Sequence, residues 1–216
     1  YLEKILTLFF TSNYIYTYKQ KKKIYIKDYI MENTALILID LQNDYFKSFE
    51  GAKWQLHETE EAAQNALKIL NSFREKNMKV IHVRHEFNIE NPPFFASVSQ
   101  GAKIHASLTP KENEFQVLKH EVNSFKGTNL KEILDNSKIE NVVIVGAMSF
   151  MCVDAVTRAA SDFGYNCFVA HDACATSDLE FNGVKIPAPI AHAAFMAGLE
   201  FAYAKVHTTN EILELL

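Results

Sequence analysis

Short apolar runs recur along the chain, at residues 35–39, 80–83, 115–118, 142–145, 167–170 and 204–206. Most are continuous rather than alternating, the pattern of strands covered on both faces. Helical spacing fills several of the gaps. In "EEAAQNALKILNSFREKN", Ala63, Ala66, Leu67, Leu70 and Phe73 fall on one helical face. Val153, Val156, Ala160 and Phe163 do the same further on, residues 190–199 repeat the pattern, and "NEILELL" closes the chain. Strands alternating with helices predict right-handed βαβ units. The expected fold is α/β: a single three-layer α/β/α domain, Rossmann-like, on a six-stranded, mainly parallel sheet. Residues 87–113 hold three prolines and little periodicity, and read as a long loop of the kind that carries function.

Composition changes this picture little. The chain has 216 residues, 48% of them hydrophobic and 22% charged, which suits one domain with a sizeable core. A net charge of −4 gives no pull toward nucleic acid or anionic membrane, and no apolar run is long enough to span a bilayer. Residues 1–30 differ from the rest, rich in Tyr, Ile and Lys and without Gly or Pro. No positive leader or small-residue cleavage site frames their apolar run as a signal peptide. Met31 reads as the natural start, with 1–30 an upstream or disordered extension and 31–216 the domain. The three cysteines, Cys152, Cys167 and Cys174, form no C-x-x-C pair, which points to free thiols in a reducing cytoplasm.

Ligands of open α/β sheets bind beyond the carboxyl ends of the strands. Asp40 follows the first run, Arg84 and His85 the second, Lys119 and His120 the third, and "GAMSFMC" the fourth. An aspartate after five apolar residues is desolvated, which makes it a better proton acceptor, or it simply caps the next turn. A strand-end lysine is a solvated charge, or a partner for Asp40 and a thiolate. Cys152 stands in a strand-to-helix turn, where unpaired N–H groups favour a thiolate and can hold an oxyanion. Its alternative is a small buried hydrophobe, the reading that fits Cys167 and Cys174 better. His85, His120, His171 and His192 show no metal-ligand spacing, and there is no glycine-rich phosphate motif.

The blocks "ALILIDLQNDYF", "VLKHEVNSFKGTNLKEIL", "NVVIVGAMSFMCVDAVTRAASDFGY" and "AHDACAT", with His192 after them, resemble the isochorismatase-like cysteine hydrolases. That family includes nicotinamidases, N-carbamoylsarcosine amidohydrolases and isochorismatases. The resemblance runs over residues 34–206. It implies a triad of Asp40 as base, Lys119 as cation and Cys152 as nucleophile. It also implies a cis peptide between Ala147 and Met148 that turns the Met148 N–H toward the substrate oxygen. Hydrolysis of a small amide or related C–N bond through a thioester is then expected, Lys119 lowering the thiol pKa. The nicotinamidase metal set is broken, since His85 stands where its Asp would be and Phe87 where its His would be. No metal and no cofactor are expected. Phe46, His85, Phe125 and Phe150 are candidates for lining a pocket for a planar or apolar small molecule, or for ordinary packing. Other readings are isochorismate hydrolysis, a non-catalytic binding protein, and a redox-sensing thiol with Cys174 as resolving partner. Family members often form dimers or tetramers, and the alanine-rich stretch around "APIAHAAFMAGLEFAYA" offers a face for a homo-oligomer.

Overall fold

The computed structural model describes residues 33–216; the expectation for residues 1–30 lies outside the described residues. Strands β1 (Thr34–Ile39), β2 (Lys79–His85), β3 (Phe115–Lys119), β4 (Asn141–Ala147), β5 (Asn166–Ala175) and β8 (Ala204–His207) form one sheet in the order β3-β2-β1-β4-β5-β8. Every pairing in it is parallel. The chain winds outward from β1 to β3, then returns to the centre and winds the other way. The reversal falls between β1 and β4, where such folds open a crevice at the strand ends.

All six β1 residues are buried, as a strand covered on both faces requires. Ala35, Ile37 and Ile39 share a core with Val142, Ile144, Val156, Ala160, Met196 and Leu199. Their helices are α2 (Leu130–Asn136), α3 (Asp154–Asp162) and α4 (Ala188–Ala202). Leu36 and Leu38, equally buried, point to the opposite face because side chains alternate along a strand. Helix α1 (Thr59–Glu75) buries Ala62, Ala63, Ala66, Ile69, Leu70 and Phe73. Its buried stripe therefore includes Ala62 and Ile69, and Leu67 is only half-buried. Helix α5 (Thr209–Leu215) ends the chain as expected. Phe163 falls outside the core: it sits just past α3, 50% exposed, edge-on to Phe125 at 5.1 Å. A hairpin of β6 (Leu179–Phe181) and β7 (Val184–Ile186) was not anticipated. Its turn, Asn182–Gly183, has positive φ at both residues, the Asn-Gly signal of a tight hairpin.

Two close approaches bring the site together. Gly146 of β4 has φ +129°, and a Cβ there would lie 2.1 Å from the Ile39 carbonyl oxygen. Only glycine lets β4 run this close to the end of β1. The loop of residues 87–113 is strapped to the segment after β1. The N–H groups of Asn43 and Asp44 donate to the carbonyls of Lys103 and Gly101 at 2.9 and 3.0 Å, and His105 N–H to Leu41 at 2.9 Å. The Asp44 carboxylate accepts from Phe95 N–H at 2.7 Å. It also fills the space a side chain at Gly101 would need, 2.3 Å from the Cβ position.

Gly146→Ala is expected to destabilise the protein by more than about 3 kcal/mol, because its clash is with backbone rather than with a flexible side chain. Urea unfolding of the variant, with the slope unchanged and the midpoint lowered, is the measurement.

Candidate active site

Lys119 ends β3 with its side chain wholly buried, as does Asp40 directly after β1. Its Nζ lies 2.8 Å from Asp40 Oδ2, 3.2 Å from Cys152 Sγ and 2.9 Å from His85 Nδ1. It also reaches the carbonyls of Glu121 at 3.1 Å and Val122 at 3.5 Å. An ammonium has three protons and accepts none. This one is therefore surrounded by more acceptors than it can serve, and each neighbour competes for it.

The backbone aims these groups. Asp40 has φ +51°, the left-handed conformation that aspartate tolerates better than most residues, and its N–H donates to Val83 O at 3.0 Å. The chain thus turns as soon as β1 ends. Beyond β4 the Ala147–Met148 peptide is cis, and one π-type turn, Ser149–Val153, leads into α3 and carries Cys152. Within it the N–H groups of Met151 and Val153 both donate to Met148 O, at 3.0 and 3.2 Å. Ser149, fully buried, joins the turn to its surroundings through His192 Nδ1 at 2.8 Å and Ala175 O at 3.3 Å.

Burial pushes the Asp40 carboxyl upward, and Lys119 only partly offsets it. For Lys119 burial acts downward, but Asp40 and Cys152 outweigh it and the ammonium is held. The Cys152 thiol is pushed up by burial and then by Asp40, with Lys119 pulling the other way. This corrects the expectation of a thiolate favoured by the helix start and by Lys119. One buried cation already balances one buried carboxylate, and a thiolate would add a second negative charge in a dry site. The resting sulfur is a thiol beside a carboxylate able to take its proton. Cys167 and Cys174 are also free and buried, each pushed up to about 12 by burial.

The sequence candidates divide. Asp40, Lys119, Cys152 and His85 come together, with Ala147 and Met148 on the adjoining turn. Phe46 is fully buried and stacks on His105 at 3.9 Å. Phe125 packs with Phe163 and, at 6.4 Å, Tyr165. Phe150 lies 6.1 Å from Phe195. The aromatic layer beside His85 is made by other residues: Phe87 at 4.5 Å and Phe95 at 6.3 Å, with Tyr45 packed on Phe95 at 4.5 Å. Burial raises the Tyr45 hydroxyl pKa, and the negative charge of Asp40 adds to it. Tyr45, the neighbour of Phe46 in "DLQNDYF", was not among the sequence candidates and packs on this layer.

Asp40, His85 and Cys152 offer ligand atoms within 4.8 Å of one another, a donor set that a metal ion could use. The Lys119 ammonium lies within hydrogen-bonding distance of all three. A second cation in their midst would meet a fixed positive charge, so these residues do not fit a metal. No described helix is long and apolar enough to cross a membrane.

Comparisons with known proteins place the chain in a family and agree with the fold. A family model described as the isochorismatase domain matches residues 34–211. The isochorismatase family protein YddQ of Bacillus subtilis is 44% identical over 183 residues, 84% of this chain and 99% of its own. The secreted isochorismatase effector Isc1 of Verticillium dahliae is 34% identical over 68% of this chain and 75% of its own. The crystal structure of a protein assigned as an isochorismatase hydrolase, from Oleispira antarctica, is 57% identical and superposes with a TM-score of 0.82, covering 84% of this chain and 97% of that one.

Lys119→Met leaves Asp40 buried without its counter-charge. The expected loss is about 3–5 kcal/mol at pH 8. Without Lys119 the folded-state pKa of Asp40 rises further above its unfolded value. The carboxyl is then neutral in the folded protein at low pH, and the penalty grows as pH rises above the unfolded value. Urea unfolding from pH 5 to 8 should show the gap between variant and wild type widening with pH.

Proposed function

This chain belongs to the isochorismatase family, and we propose that within it the protein is a cysteine hydrolase that cleaves a small amide or related C–N bond. In this reading Asp40 takes the proton of the Cys152 thiol as the sulfur attacks the carbonyl carbon. The N–H groups of Met148 and Cys152 receive the oxyanion. When the C–N bond breaks, Asp40 returns its proton to the departing amine and a thioester remains on Cys152. A water molecule then gives its proton to the same carboxylate and attacks the thioester. The acid departs and the proton passes from Asp40 to the sulfur, which restores the thiol.

Lys119 keeps its proton throughout. Its contact with both Asp40 and Sγ allows negative charge to pass between carboxylate and sulfur without leaving the ammonium. That shared contact, between side chains buried from bulk solvent, is the observation that carries the reading. A binding module would account for the buried Lys119–Asp40 pair, but gives no reason to bring the ammonium against a thiol as well. A redox pair with Cys174 has less support, because that thiol lies in β5 and donates to Ala170 O at 3.3 Å. Cleavage of isochorismate, a vinyl ether, makes no evident use of the sulfur.

The test is intact-protein mass spectrometry after acid quenching. Nicotinamide, carbamoyl amines, ureido acids and isochorismate form the substrate panel. An acyl adduct is expected on Cys152 with an amide substrate. Cys152→Ala should show no adduct and a loss in rate of at least about a thousandfold. Undiminished turnover in Cys152→Ala would sink the proposal.

A further inference from the structure

Among the described side chains that contact Lys119 Nζ, His85 is the one for which the proposed reaction has no use. It is 5% exposed, and its Cα pairs with that of Lys119 across β2 and β3. Its backbone is clamped on both sides by one side chain. His85 N–H donates to Gln42 Oε1 at 2.7 Å, and Gln42 Nε2 donates to His85 O at 2.8 Å. Gln42 is itself fully buried and tied to the long loop through Ala102 O at 2.7 Å. The ring packs on Phe87 at 4.5 Å, with Phe95 at 6.3 Å. The clamp fixes the backbone from which the ring reaches Lys119.

We propose that His85 is a positioning residue for Lys119, an uncharged acceptor whose Nδ1 takes one ammonium proton and so fixes the cation between Asp40 and Cys152. The inference rests on the reading of those three as the reacting groups. An ammonium can only donate, so Nδ1 accepts and the ring proton sits on Nε2. That nitrogen is buried without a partner among the described residues. Burial, then the charges of Lys119 and His120, hold the imidazole pKa down at about 3, so the ring stays neutral in ordinary buffers. With Asp40 taking a second proton, the third is left for Sγ or for the Glu121 carbonyl. Remove the His85 acceptor and the ammonium is free to turn toward the Glu121 and Val122 carbonyls, away from the sulfur.

Two substitutions separate this role from packing. His85→Phe keeps a ring and loses the acceptor; His85→Asn loses the ring and keeps an oxygen near the position of Nδ1. Alkylation of Cys152 by iodoacetamide at pH 7.5, located by peptide mass spectrometry, is the readout. We expect His85→Phe to slow it at least about tenfold and His85→Asn to stay within about threefold of wild type. The opposite order, with Phe tolerated and Asn slow, would make His85 a packing residue. Nitrogen-15 imidazole spectra of the wild type test the same point without any substitution. Nδ1 should be unprotonated and Nε2 protonated from pH 5 to 8, and a protonated Nδ1 overturns the inference. Failure of the underlying reading looks different: wild-type Cys152 would then alkylate no faster than Cys167 and Cys174, whatever the His85 variants do.

Discussion

A buried ammonium organises this molecule. Taking Lys119 out of water is unfavourable by several kcal/mol unless charge and hydrogen bonds replace the lost solvent. The chain replaces it with a carboxylate from the end of β1, an imidazole from β2, a thiol from the turn after β4 and two carbonyls just beyond β3. Each comes from a different segment, so the cation also fixes how the ends of these strands lie relative to one another. The same demand sets the chemistry. With one positive and one negative charge balanced, burial and Asp40 both favour the protonated sulfur, and in the proposed reaction the carboxylate is the group that accepts its proton.

The backbone around that charge is correspondingly constrained. Gly146 has no side chain because β4 touches the Ile39 carbonyl, one residue before Asp40. Asp40 itself takes a left-handed conformation to leave the strand line at once. Gln42 and Asp44 then tie the long loop down, Gln42 through His85 and Ala102, Asp44 through Phe95 and the close approach of Gly101. The segment "DLQND" therefore divides its labour: the first aspartate faces the cation, and the later polar side chains hold the covering loop.

Much of this was legible in the chain. Apolar runs marked the strands of the main sheet: the central β1 and β4 are buried at every position, while β3 and β8 at the edges leave residues exposed or half-buried. The strand-end rule singled out Asp40, Lys119 and the turn of Cys152 because a doubly wound sheet brings its carboxyl ends to one rim. The aromatic layer beside His85 was harder to read. Phe46 and Tyr45 are adjacent aromatics, and only the short helical turn at Asn43–Tyr45 decides which one packs on Phe95 beside His85. Phe163 has the right helical phase for the core, but α3 stops before it.

What the sequence by itself determined is the strands of the main sheet, most of the helices between them, their parallel arrangement and the identity of the groups on the rim. These follow from periodicity, strand ends and residue chemistry, all of them local. Only the tertiary structure decided the protonation of Cys152, the place of His85 against Lys119 and the tie between Gln42 and the loop. Each of those depends on distances between residues far apart in the chain and on the exclusion of water around them. A thiol at a helix start is predicted to ionise; the same thiol, buried beside a carboxylate, does not.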